Sequence, residues 1–191
     1  MKAMRVGLLC MVLVVLSISV GNAQEQTWNF TFKGGLVLPG AVTVSPPGWD
    51  FDTGTGYLFN AYFDAMVAPK LSIGAFLMLA GPSVTVQGYD YGATVTTLGA
   101  TLKGRFTLQN GMQLRPGLAI GYQMTSSDAY NDGVTGLDVG GIFEIVKPLK
   151  GSKNALVGEL GFMTQPSGGN EDADVTWGPI FYLAFGYEFG G

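Results

Sequence analysis

Nine charged residues stand at strand-like spacing among apolar neighbours: Lys33, Lys103, Arg105 and Arg115, against Asp64, Asp138, Glu144, Glu159 and Glu188. Each falls on the polar phase of a two-residue alternation, so they share one face of their strands. The two signs nearly balance, and the chemistry that suits such a set is mutual ion pairing in a place where water is scarce. The same groups could instead line a gated polar path for ions or very small solutes, with Arg105, Arg115, Glu144 and Glu159 as its lining.

Catalytic chemistry is poorly supplied. The chain has no histidine, which removes the usual general base, the commonest metal ligand and any Ser-His-Asp or Cys-His arrangement. No two acids are marked as a catalytic pair, so no enzyme activity and no cofactor are expected. Oxygen-rich segments occur at Asp128-Ala-Tyr-Asn-Asp-Gly133 and Gly168-Gly-Asn-Glu-Asp-Ala-Asp174. Neither has EF-hand spacing, and both read as solvated acidic loops able to share divalent ions with lipid phosphates. Trp49, Tyr89, Tyr91 and Tyr130 lie among these loops. They could anchor an extracellular partner, or pack across a barrel mouth and at its interface.

The elements that must position the nine charges are strands. Trp28, Phe30, Phe32, Leu36 and Leu38 alternate with Asn29, Thr31, Lys33, Gly35 and Val37, which a helical period does not fit. Turn residues divide the chain into strands near 27–39, 54–67, 71–84, 94–108, 112–125, 134–147, 154–164 and 175–189. Short connections alternate with longer ones near 40–53, 85–93, 126–133 and 165–174. Asp50, Asp52, Asp90, Asp128, Asp132, Glu171, Asp172 and Asp174 fall in the longer set, and Lys70, Lys147, Lys150 and Lys153 in the short set. In the fifth strand Leu114, Leu118, Ile120, Tyr122 and Met124 oppose Gln113, Arg115 and Gln123. In the last, Trp177, Pro179, Phe181, Leu183, Phe185, Tyr187 and Phe189 oppose Tyr182, Ala184 and Glu188.

Only 13% of residues are charged, against roughly 25% in soluble domains. A charge on a lipid-facing position costs about 2–4 kcal/mol at the bilayer midplane, so an apolar outer face with every strand charge inside fits a barrel in lipid. Trp28, Tyr187 and Phe189 at one end, with Tyr57, Tyr122 and Trp177 at the other, suit two interfacial aromatic girdles. A soluble lipocalin-like ligand-binding barrel would place the apolar face inside instead.

Residues 1–23 read as a secretory signal peptide: Lys2 and Arg5, an apolar run from Val6 to Leu16, then Gly21-Asn22-Ala23. Cys10, the single cysteine, lies within that run, so the exported domain at 24–191 has no thiol chemistry. No basic cluster suggests nucleic acid.

The leader, the eight alternating strands, the acidic longer loops and the closing Phe185-Gly-Tyr-Glu-Phe189 resemble the small outer-membrane β-barrel proteins of Gram-negative bacteria, the class of outer-membrane proteins A, X and W. The resemblance implies an eight-stranded antiparallel up-and-down transmembrane barrel, monomeric, with both termini in the periplasm. It implies contact with outer-membrane lipid and lipopolysaccharide. Phe189 looks like the terminal aromatic read by the barrel-assembly machinery, here followed by Gly190 and Gly191. The expected role is structural or in surface interaction, with a largely plugged polar lumen. A narrow pore is the alternative.

Overall fold

The computed structural model describes residues 28–45, 48–127, 130–169 and 174–190. The proposed leader, Pro46-Pro47, Asp128, Glu171, Asp172 and Gly191 lie outside them. The described strands are β1 (Trp28–Val37), β2 (Gly40–Ser45), β3 (Trp49–Thr53), β4 (Gly56–Ala68), β5 (Leu71–Gly81) and β6 (Ser83–Val86). They continue with β7 (Tyr89–Gly104), β8 (Phe106–Thr107), β9 (Gln113–Ser127), β10 (Tyr130–Pro148), β11 (Ala155–Gly169) and β12 (Asp174–Gly190).

Eight of these are barrel staves. β1, β4, β5, β7, β9, β10, β11 and β12 each pair antiparallel with the next, and β12 returns to β1 from Asn29↔Gly190 to Val37↔Tyr182. Closure leaves no strand edge unpaired around this ring of described residues. Trp28 and Gly190 therefore lie at one end of the barrel, called inner here, and the β2–β3 and β6–β7 hairpins at the other.

The remaining short strands extend the staves. Pro39 and Pro82 lack the N–H a ladder needs, and they separate β1 from β2 and β5 from β6. Beyond these breaks β12 pairs with β2, β2 with β3, β3 with β6, and β6 with β7, so the outer rim closes as a second ring. The segments expected to be longer loops are thus mostly strand. Val42, Thr43 and Val44, like Val84, Thr85 and Val86, are β-branched and alternate in register with the wall below, which favours pairing over loop. Gln87 (φ 52) and Gly88 (φ 83) make the two-residue turn between β6 and β7, with the positive φ at both positions that a type I′ hairpin requires.

The faces follow the alternation. Leu118 is 67% exposed and Phe185 65%, with Leu36, Phe59, Leu102, Ile120, Phe143 and Leu160 also on the outside. Inside, all but one of the nine strand charges are buried, Arg105 being half-buried. This distribution suits hydrocarbon outside and is the reverse of the soluble-barrel arrangement.

Trp177 departs from the expected outward set. Between Met163↔Ile180 and Gln165↔Trp177, β12 advances one residue more than β11. This bulge includes Pro179 and reverses the inside–outside phase above it. Trp177 consequently points into the barrel, 3% exposed, and does not belong to the outer aromatic girdle.

Candidate functional site: the barrel interior

The inner half of the lumen holds the charges. Glu144 on β10 lies directly across from Glu159 on β11, a like-charge pairing that is unfavourable without a cation between. Lys33, three staves away on β1, supplies that cation. Its Nζ donates to Glu144 Oε1 at 2.5 Å and also to Glu159 Oε2. Lys103 Nζ on β7 donates to the same Glu144 oxygen at 2.8 Å and to Asp64 Oδ2 on β4 at 2.9 Å. Arg115 on β9 grips Glu188 on β12 with both Nη atoms, Nη2 to Oε1 at 2.9 Å, while its Nη1 stands 3.9 Å from Glu144 Oε2.

Neutral groups complete the shell, as buried charges require. Tyr62 Oη and Asn60 Nδ2 donate to Glu159 Oε1 at 2.9 and 3.1 Å, Thr101 Oγ1 donates to Asp64 at 3.2 Å, and Thr31 Oγ1 to Glu188 at 3.3 Å. Gln113 Oε1 accepts from Arg115 Nε and Nη2 at 3.0 and 2.8 Å. Both lysines also approach the Tyr62 ring, each Nζ 4.0 Å from its centroid, a cation–π geometry strengthened by the lack of water. Tyr62 in turn stacks on Phe76 at 5.9 Å. Phe76 has room because Gly99 and Gly121 face each other across β7 and β9: a Cβ on Gly99 would come within 2.6 Å of both Gly121 Cα and Phe76 Cε1.

Seven of the nine sequence-selected charges thus meet in one network: Lys33, Asp64, Lys103, Arg115, Glu144, Glu159 and Glu188. Two do not join it. Asp138 is buried farther out, where Thr97 Oγ1 donates to Oδ2 at 3.1 Å and Oδ1 has no partner among the described residues. Arg105 falls between β7 and β8, outside both strands, and reaches Asn29 rather than a carboxylate. With the Asn29 amide turned to satisfy both groups, its oxygen accepts from Arg105 Nη1 at 2.8 Å and Nη2 at 2.5 Å. Arg105, Arg115, Asn29, Gln113 and Glu188 border an inner vestibule of about 380 Å³.

The outer half of the lumen carries an apolar layer that the expectation of a largely plugged polar lumen did not include. Val37, Leu58, Met78, Ala80, Val95, Met163 and Tyr182 form a buried apolar layer above the ion pairs. Above it, Val42, Val44, Ala93, Val134, Val175 and Trp177 line a chamber of about 50 Å³, with Phe51, Val84 and Val86. Part of the signal was present in segments read as loops, as Val42, Val44 and Val86, and the rest as Val37, Val84, Val95, Val134 and Val175 within the expected strands.

Outside, Trp28 stacks on Phe63 at 6.3 Å and Tyr187 meets Phe189 edge-on at 4.8 Å near the inner end. Tyr57 and Tyr122 are exposed farther out. Lys70, Lys147, Lys150 and Lys153 are exposed at the inner end, and Asp50, Asp52, Asp90 and Asp174 at the outer rim.

A closed eight-stave wall, apolar outside and ion-paired inside, defines a small β-barrel of the outer-membrane class. Among solved structures, the chain is similar to Neisserial surface protein A, with TM-score 0.58 at 10% identity, covering 87% of this chain and 99% of that one. It is similar also to a major outer membrane protein from Thermus thermophilus, with TM-score 0.60 at 13% identity, covering 88% and 100%. No known family matches the chain by sequence, and no curated protein does. The likeness is one of fold: an outer-membrane, antiparallel, eight-stranded transmembrane barrel.

Proposed function

We propose that this protein is a closed structural barrel of the bacterial outer membrane, its lumen locked by the Lys33–Glu144–Lys103 network and its acidic outer rim offered to the cell surface. The carrying observation is that the ion pairs run across the lumen rather than along its wall, from β1 to β10, β7 to β10 and β9 to β12. An eight-stranded barrel leaves only enough room for side chains, so cations bridged across it occupy the path an ion would take. The arrangement is structural, not catalytic. Outer-membrane lipid and lipopolysaccharide contact the apolar wall, the assembly machinery receives the strand ending at Phe189, and the chain works as a monomer after export. Asp50, Asp52, Asp90 and Asp174 form the surface available to an extracellular partner or to divalent ions shared with lipid phosphates.

Membrane fractionation with heat-modifiable gel mobility, followed by planar-bilayer recording, tests this. Recovery in the outer membrane, faster migration before boiling and no discrete currents are expected. Discrete currents from the unaltered protein would replace the locked barrel with the pore reading, and release without detergent would overturn the membrane assignment.

A further inference from the structure

The inner end of the lumen opens into the vestibule of about 380 Å³, within the roughly 300–1,000 Å³ of small-molecule sites. Three cations border it, Arg105, Arg115 and Lys153, against a single carboxylate, Glu188. Glu188 is already engaged, because Arg115 grips it with both Nη atoms and Thr31 donates to it. Arg105 has no such partner: among the described residues, no carboxylate lies within ion-pair distance of it. Its guanidinium meets the neutral Asn29 oxygen, which takes one N–H from each Nη and leaves a second on each. Asp64, across from Asn29 on β4, accepts from Lys103 at Oδ2 and from Thr101 at Oδ1, and it does not border the space.

Connections rather than ladder pairs position the two outermost cations. Arg105 lies between β7 and β8, half-buried, and its backbone N–H donates to the Lys70 carbonyl at 2.9 Å. Lys153 is exposed in the β10–β11 turn, which the Leu149 N–H closes by donating to the Asn154 carbonyl at 2.9 Å, with Gly151 at φ 72. Lys70, Lys147 and Lys150 stand exposed at the same end, and cations around an entrance raise the local concentration of anions.

We propose that the vestibule binds a phosphate dianion, free or as a small soluble monoester, with Arg105 and Lys153 as its principal cations and Arg115 behind them. The surplus of two positive charges along the lining suits a group carrying about −1.5 to −2 at neutral pH. The guanidinium fork matches phosphate oxygens in pairs, whereas a lone carboxylate or chloride would offset only one of the charges. The site ends at the Arg115 and Glu188 pair, so it goes beyond the locked-barrel reading and can be occupied whether or not the lumen past that pair conducts.

From residue 24 onward the only arginines are Arg105 and Arg115, so a barrel labelled with ¹⁵N-arginine reports the site through two Nε–H resonances. The test follows them by NMR in the full mature barrel, held in a non-ionic, phosphate-free detergent at slightly alkaline pH. Inorganic phosphate and glycerol phosphate are titrated against sodium chloride of equal ionic strength, and phosphatidylglycerol is added to the micelles in a separate arm. Saturable displacement of the Arg105 resonance by both phosphates, with neither chloride nor the lipid diester reproducing it, is expected. Arg105→Gln, read at Arg115, should weaken binding by about tenfold or more. Lys153→Glu, in the exposed turn where folding is not at stake, should weaken it by about fivefold or more. Only variants that keep heat-modifiable mobility are scored. A shift that follows ionic strength alone, an equal response to phosphatidylglycerol, or undiminished binding in folded Arg105→Gln or in Lys153→Glu would each overturn the proposal.

Discussion

Glu144 and Glu159 are registered partners across β10 and β11, two carboxylates facing each other inside the barrel, and the Lys33 ammonium reaches both. Neither strand could carry its acid at that level alone. The pairing depends on a third strand brought alongside by closure, which couples the chemistry of the interior to completion of the ring.

Lys33→Met should therefore be more harmful than Glu144→Gln. Losing Lys33 leaves Glu159 with only the neutral donors Tyr62 and Asn60, opposite a second carboxylate. Stranding a buried charge costs about 3–5 kcal/mol. Losing Glu144 leaves each cation of the network a carboxylate: Glu159 for Lys33, Asp64 for Lys103 and Glu188 for Arg115. Urea unfolding in lipid vesicles should rank the variants in that order, and Lys33→Met/Glu159→Gln should recover part of the loss. Equal destabilisation by the two single changes would contradict this account.

The outer wall should discriminate by depth. Leu118 is mid-strand on β9 and 67% exposed, so Leu118→Arg should cost about 2–4 kcal/mol, while Tyr187→Arg near the inner end should cost about 0–1 kcal/mol. Vesicle-based unfolding of the two variants measures the difference directly.

Gly99 should resist enlargement. Gly99→Val would drive its side chain into Gly121 and Phe76 and disturb the stack on which Tyr62 and its two lysines rest. Overpacking of this kind costs about 1–3 kcal/mol. Gly158→Ala, whose added carbon would meet only Phe185 carbons at 3.5 and 3.6 Å, should be near neutral in the same assay.

The β6–β7 turn offers a gain. Gln87 holds φ 52 without being glycine, a conformation asparagine tolerates better. Gln87→Asn should stabilise the outer rim by up to about 1 kcal/mol, read as slower proteolysis of the β6–β7 hairpin with the barrel's midpoint little changed.

What the sequence determined by itself is what two-residue periodicity can carry. Alternation is local, so the inward direction of Lys33, Arg115, Glu144 and Glu188, the outward direction of Leu118 and Phe185, and the number of barrel staves were readable from neighbours along the chain. Trp177 shows where that reasoning ends. One extra residue at the β12 bulge reverses the phase, and only pairing with β11 reveals it. Tertiary structure alone decided which charges meet, that Asp138 and Arg105 stay out of the network, and that β2, β3 and β6 prolong the wall around an apolar chamber. Those outcomes depend on the stagger at which a closed ring aligns strands far apart in sequence, and no single strand contains that information.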